Sequence, residues 1–145
     1  MDPSYTLHMK VKHLDHLNLT VRDFAETVDW YGRVFGFEVV QDDIEDGVRW
    51  GVIRSGEAML CIYEHKDFEF EDGCARRDRG QHAVNHFALR ITDRKEWEET
   101  ASRQGLKFGY GGGAVRWPHS TAWYVIDPTG YEIEVALWDD DTVRF

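Results

Sequence analysis

Residues 15–23, DHLNLTVRD, recur 70 positions later as residues 85–93, NHFALRITD, in a chain of 145. A repeat at this spacing constrains the architecture before any local propensity is consulted, because half the chain must form a unit that is used twice. Each copy carries a histidine at its second position, His16 and His86. Two side chains able to bind metal at equivalent places suggest a paired site at a pseudo-two-fold axis.

The residues around each copy spell the same order of elements. Leu17, Leu19 and Val21 alternate with His16, Asn18 and Thr20, as a half-buried strand requires. Asp23 precedes Glu26 at capping-box spacing, so a helix is expected over 24–34, with Phe24, Val28, Tyr31 and Phe35 as its apolar stripe and Gly36 as its stop. Strand-like runs follow at 37–42, 48–54 and 58–63, separated by Asp46-Gly47 and Ser55-Gly56. In the second copy Phe87, Leu89 and Ile91 alternate with His86, Ala88 and Arg90. Asp93 and Glu96 open a helix that carries Trp97 and Ala101 and stops at Gly105. Strands are expected at 106–110, 121–127 and 131–138, the last two joined by Asp127-Pro128-Thr129-Gly130.

The expected fold is therefore α+β: two βαβββ modules, about 12–64 and 84–138, joined by a polar linker over 65–83. Residues 111–120, with three consecutive glycines, read as a mobile loop. His8-Met9 is the pair that a common cloning site encodes, so the opening is set aside and 1–11 is read as a disordered leader. The acidic run in 139–145 reads as a solvated tail.

Bulk properties exclude several classes. The net charge of −10 disfavours nucleic acid, which needs a basic footprint, and anionic membrane surfaces. No apolar run approaches the roughly 20 residues of a membrane span, and no basic-then-apolar signal peptide opens the chain. Two cysteines, Cys61 and Cys74, make neither a disulfide framework nor a zinc-finger spacing, which fits a cytoplasmic location.

The repeat extends into the later strands. Trp50-Gly51-Val52-Ile53 matches Trp123-Tyr124-Val125-Ile126, and counting on from Gly56 and Gly130 pairs Leu60 with Glu134. Four positions then surround the pseudo-axis, and His16, His86 and Glu134 can bind metal. Leu60 cannot, and is assigned to substrate contact. Two histidines and one carboxylate with open positions suit Fe(II), and also Mn(II), Zn(II), Ni(II) or Co(II). Strand alternation puts Glu132 and Glu134 on one face and does not choose between them.

The segments LDHLNLTVRDFAETVDWYGRVFGFEVV, HFALRIT and YVIDPTGYEIEVALW resemble the vicinal oxygen chelate superfamily, which includes glyoxalase I, bleomycin-resistance proteins, fosfomycin-resistance thiol transferases and extradiol ring-cleaving dioxygenases. The resemblance covers residues 12–138 and implies an incomplete barrel around one divalent metal ion. The family's Asp-Pro-x-Gly-x-x-x-Glu pattern favours Glu134 as the ligand. Glyoxalase I carries a second carboxylate where this chain has Leu60, and the thiol transferases carry a threonine where it has Asn18. A tyrosine ten residues before the metal glutamate, here Tyr124, matches the dioxygenases and tilts the reading towards Fe(II) and dioxygenase-like chemistry. The alternatives are glyoxalase-, epimerase- or fosfomycin-type lyase, isomerase or thiol-transferase chemistry at the same metal, or a drug-binding protein without metal. The resemblance also implies a homodimer acting on a small molecule. Tyr124 and His119 are the expected acid–base residues, and Asn18 and Arg90 the expected polar substrate contacts.

Overall fold

The computed structural model describes residues 9–145, so most of the expected leader, 1–8, lies outside the described residues; residues 9–16 form neither helix nor strand. The first module consists of β1 (Leu17–Val21), α1 (Phe24–Phe35), β2 (Glu38–Glu45), β3 (Val48–Ser55) and β4 (Ala58–Glu64). A short helix, α2 (Ala75–Asp78), interrupts the linker. The second module runs β5 (Phe87–Ile91), α3 (Arg94–Gln104), β6 (Lys107–Phe108), β7 (Val115–Arg116), β8 (Ser120–Ile126) and β9 (Glu132–Trp138).

Each module forms one unclosed mixed sheet, and the two sheets share a plan: β1-β4-β3-β2 in the first, β5-β9-β8-β6 in the second, with β7 also paired to β8. β1 runs parallel to β4 as β5 runs parallel to β9. Both crossover helices begin where the sequence signals them. The Glu26 backbone N–H donates to Asp23 Oδ1 at 2.9 Å, and the Glu96 N–H donates to Asp93 Oδ1 at 3.0 Å. Both end on a left-handed glycine, Gly36 and Gly105, at φ 67° and 59°.

One core serves both halves. The inner face of the first sheet (Leu19, Val21, Ile53, Leu60, Ile62) packs with Phe24, Tyr31 and Val34 of α1, and the same cluster takes in Trp97, Trp123, Val125, Ile133 and Val135. The modules meet through aromatic rings: Phe35 stacks on Trp97 at 5.7 Å between centroids, and Trp97 lies 6.1 Å from Trp123. The buried Tyr31 hydroxyl donates to Asp127 Oδ2 at 2.8 Å across the same boundary. Asp127 Oδ1 accepts the backbone N–H groups of Thr129, Gly130 and Tyr131, each at 2.9 Å. That network explains the turn, since a buried carboxylate persists only where donors surround it.

The ladders correct the sequence-level pairing of the two halves. Leu17 pairs with Leu60 and Phe87 with Ile133, and Ile53 pairs with Leu60 as Val125 does with Ile133. Leu60 is therefore the counterpart of Ile133, and Cys61 that of Glu134. The cause is turn length. Ser55 pairs with Ala58 around a two-residue turn, whereas Ile126 pairs with Glu132 around five residues. Counting from the two turn glycines slips the register by one, and one residue moves a side chain to the other face. Leu60 is 3% exposed, lies on the core face and does not line the cavity on the second sheet.

The same slip hid an exchange in the core. Gly51, not Trp50, is the counterpart of Trp123, and a Cβ on Gly51 would stand 2.8 Å from Phe24 Cζ. In the first module the helix supplies the ring and the strand leaves room for it. In the second the strand supplies Trp123, and Arg94, at the repeat position of Phe24, lays its guanidinium 5.5 Å from that ring.

Three regions differ from what their composition suggests. The strand expected at 106–110 shortens to two residues and runs into a 3-10 turn at Tyr110–Gly112. The glycine-rich loop contributes β7. The linker packs on the second module, with the Gly73 N–H donating to the Gly130 carbonyl at 2.7 Å and Lys107 paired to Asp72 at 3.1 Å.

Candidate metal centre and substrate pocket

The outer face of the second sheet, turned away from the core, lines a cavity of about 630 Å³. His86 stands immediately before β5 and Glu134 in the middle of β9. The parallel ladder sets Ala88 against Glu134, two residues along from His86, so the histidine reaches diagonally across to the carboxylate. His86 Nε2 lies 2.9 Å from Glu134 Oε2, and both side chains are part-buried.

The other ring nitrogen faces a second carboxylate. His86 Nδ1 lies 3.3 Å from Oε1 of Glu132, whose side chain is 1% exposed. The pair is close but poorly aligned, and both atoms are buried without a hydrogen-bond partner among the described residues. Glu132 Oε2 accepts from the Cys74 thiol at 3.3 Å, and Arg77 Nη2 lies 3.1 Å from the same sulfur. Burial first, then the bond to Glu132, pushes the Cys74 thiol up from its ordinary value, so it remains a donor at neutral pH. The linker thus acts as a strap that closes the back of the site.

Tyr124, directly opposite Glu134 in the β8–β9 ladder, meets the His86 ring edge-on at 5.6 Å between centroids. Tyr110 packs on its other side at 4.4 Å. Burial raises the Tyr124 phenol above its ordinary value, so the group is neutral near pH 7 and acts as a hydrogen-bond donor rather than a base. His119 lines the same cavity, its backbone carbonyl accepting the Asp139 N–H at 3.0 Å. Arg90 lies further along β5, and Trp117 and Trp138 supply aromatic lining, with the exposed Phe145 at the rim.

The structure therefore brings together five expected site residues: His86, Glu134, Tyr124, His119 and Arg90. It does not bring His16 or Asn18 to the cavity. The His16 side chain is 49% exposed and its Nδ1 pairs with Asp15 Oδ2 at 2.8 Å. No three His, Cys, Asp or Glu residues gather as a metal centre among the described residues. The reason is topological: β1 and β5 head separate sheets, and the cavity lies on the second alone. Asn18 lies opposite Cys61 on the first sheet and borders a neighbouring hollow of about 540 Å³ under the strap.

Sequence reasoning missed Glu132 as the carboxylate behind His86, although two glutamates on one strand face were visible. It missed Cys74, Arg77 and Trp117 altogether, since nothing local marks them. The acidic tail, 139–145, is exposed throughout and runs beside the cavity. Arg116 forms a two-pronged pair with Asp139, Arg144 pairs with Asp140 at 2.9 Å, and Val143 and Phe145 line the cavity. No helix among the described residues is long and apolar enough to cross a membrane.

Residues 13–135 match the family model described as the glyoxalase/bleomycin resistance protein/dioxygenase superfamily. The chain is 29% identical over 126 residues to a catechol-2,3-dioxygenase of Bacillus subtilis (strain 168), an alignment that takes in 85% of this chain and 40% of that protein. It therefore spans well under half the length of that curated relative. The glyoxylase/bleomycin resistance protein/dioxygenase domain from Frankia sp. EAN1pec superposes with a TM-score of 0.74 at 16% identity, covering 92% of this chain and 96% of that one. A variant of the fosfomycin resistance protein FosX from Listeria monocytogenes, crystallised with Mn(II) and a dihydroxypropylphosphonic acid, superposes with a TM-score of 0.68 at 15% identity, covering 89% and 94%. At these identities the two structures speak to fold alone.

Proposed function

The chain belongs to the glyoxalase/bleomycin resistance protein/dioxygenase superfamily, and on that footing we propose that it is a divalent-metal-dependent enzyme acting on a small molecule held in the cavity of the second sheet. The observation that carries this reading is the His86–Glu134 pair at 2.9 Å, backed by a buried carboxylate at the other ring nitrogen. A histidine that gives one nitrogen to a metal commonly donates its other N–H to a carboxylate, which fixes the tautomer. The two orphaned atoms, His86 Nδ1 and Glu132 Oε1, would become partners on that arrangement.

His86 and Glu134 leave further positions open. A third ligand on this reading is His16 of a second copy. His16 occupies the repeat position of His86, stands half-exposed at the head of β1, and lies beside the outer face of the first sheet. A two-fold dimer that lays this face over the cavity would deliver His16, with Cys61 of the same copy at the place corresponding to Glu134.

Bound there, a divalent ion would polarise two neighbouring oxygens of the substrate and stabilise negative charge developing on them. The chain's own residues do the rest. Tyr124 donates a hydrogen bond beside the metal pair, the rings of Trp117 and Trp138 offer apolar contact to the substrate, and His119 stands at the cavity as a proton carrier. Among chemistries, ring cleavage of a catechol with Fe(II) is favoured by the match to the Bacillus relative. Mn(II), Zn(II), Ni(II) or Co(II) at the same residues would instead serve isomerase, lyase or transferase reactions.

The deciding experiment is metal analysis of protein purified without chelators or a histidine tag, together with oxygen uptake on catechols. Near-stoichiometric metal that Glu134→Ala and His16→Ala both abolish is the expected result. Protein that neither carries metal nor is stabilised by any of the five ions would overturn the reading. Oxygen uptake separates dioxygenase chemistry from the other reactions.

A further inference from the structure

The acidic chain places a cation in this cavity whose partner holds it only weakly. Two arginines line the cavity, Arg90 and Arg144. Arg144 is committed to Asp140 at 2.9 Å, and Arg116 at the rim is committed twice over to Asp139. Arg90 has one carboxylate contact, Asp141 at 3.5 Å, between groups 43% and 73% exposed. A single contact at that distance contributes little, and it is readily replaced by a better acceptor.

The position of Arg90 gives its charge a use. The ladder sets Ala88 against Glu134 and Arg90 against Ala136, so Arg90 lies one register step beyond the metal pair on the same face. Two residues of strand span about 7 Å, the scale of one substituted ring. Between the two ends the cavity is lined by the rings of Trp117, Tyr124 and Trp138. Acceptor and cation thus sit at opposite ends of an aromatic slot.

We propose that the cavity selects a planar aryl ring bearing two neighbouring oxygens at the His86–Glu134 end and a carboxylate at the Arg90 end. This rests on the metal reading above for the oxygens, but not for the carboxylate. Arg90 exchanges Asp141 for the ligand, in a two-pronged pair that an ammonium could not reproduce. The rings contribute stacking, and because the net charge of −10 opposes an anion at long range, the local pair with Arg90 is what holds the carboxylate.

The test compares protocatechuate, catechol and benzoate by tryptophan-fluorescence titration of Mn(II)-loaded and metal-free protein. The variants are Arg90→Met, which keeps most of the side-chain stem, and Asp141→Ala, which removes the competitor. Protocatechuate is expected to bind loaded wild-type protein at least about tenfold tighter than catechol, in line with a charge-assisted pair. Arg90→Met should erase that preference and leave catechol affinity unchanged, and Asp141→Ala should enlarge it. Benzoate is expected to bind metal-free wild-type protein and to lose affinity in Arg90→Met. Equal affinity for protocatechuate and catechol in wild-type protein, or a preference that survives Arg90→Met, would overturn the proposal. If the metal reading alone fails, Mn(II) changes neither affinity while the Arg90-dependent binding of benzoate persists. Should Arg90→Met fail to fold, as judged by its melting curve, Asp141→Ala decides, because an unchanged preference there also overturns it.

Discussion

At the scale of single residues, the site turns on one histidine between two glutamates. Glu134 was legible from the Asp-Pro-x-Gly-x-x-x-Glu resemblance, and His86 from the repeat. The division of labour between Glu132 and Glu134 was not, because a period of two puts both on one face and only burial separates them. Glu132 is 3% exposed, whereas the Glu134 side chain is 20% exposed and open to the cavity. On the proposed metal reading, Glu132→Gln is expected to weaken metal binding by roughly 10–100-fold, since it removes the acceptor behind His86 while leaving both proposed ligands in place. Competition with a chromophoric chelator measures this. The metal-free melting temperature should change little, because the amide keeps an oxygen that accepts from the Cys74 thiol. A variant that binds metal like the wild type would show that Glu132 is structural only. Leu60 was misread for a plain geometric reason. Its distance from a glycine was counted through turns of unequal length, and the true counterpart of Glu134, Cys61, differs from it by a single step.

At the scale of elements, the capped helices and the long strands followed from sequence because their signals are local: an aspartate before the helix, a glycine after it, alternation within the strand. Helix α2 and strand β7 are four and two residues long and exist through what they pack against, so no window of sequence announces them. The contact between modules was equally hidden, because Tyr31 and Asp127 are 96 residues apart. Tyr31→Phe is expected to cost about 1.5–3 kcal/mol, the range for a hydrogen bond to a charged group. Asp127→Ala should cost more, since it orphans the Tyr31 hydroxyl and the Thr129 and Tyr131 N–H groups together, while the Gly130 N–H keeps the Asp127 carbonyl at 3.1 Å. Denaturant titration of both variants checks the order, and a smaller loss for Asp127→Ala would contradict the network. Gly51→Ala is expected to destabilise by about 1–3 kcal/mol through overpacking against the Gln41 carbonyl and the Phe24 ring. Ala at Gly47, which has no neighbour within 4 Å but a φ of 79°, should cost through backbone strain alone. The contrast separates crowding from conformation.

At the scale of the whole molecule, two copies of one plan share a core and turn their outer faces away from it, which leaves His16 and the His86–Glu134 pair on different faces of one chain. The repeat made both histidines legible, but no sequence shows whether two faces belong to one site in one chain or to one site made by two. Mixing His16→Ala with Glu134→Ala protein decides it. With random pairing, about a quarter of all sites regain a full ligand set although neither parent has one, if the site is shared between subunits. No recovery of metal binding on mixing, under conditions where subunits exchange, would place the site within one chain. The acidic surface makes a further prediction. Asp42, Glu71 and Asp139 are each held below the ordinary carboxylate range, in every case chiefly by a hydrogen bond from an arginine: Arg49, Arg79 and Arg116. A carboxylate with a depressed folded value contributes stability above its unfolded value, here 3.8 for Asp and 4.5 for Glu, and loses it as pH falls through the folded one. Melting temperature should therefore drop as pH is taken below about 4.5, and high salt should flatten that drop because these pairs face solvent. The pair between Arg116 and Asp139 also bears on traffic. It anchors the segment that runs beside the rim from a solvent-facing position, so rising ionic strength should loosen that segment and let a ligand enter and leave faster, before any residue of the site is altered.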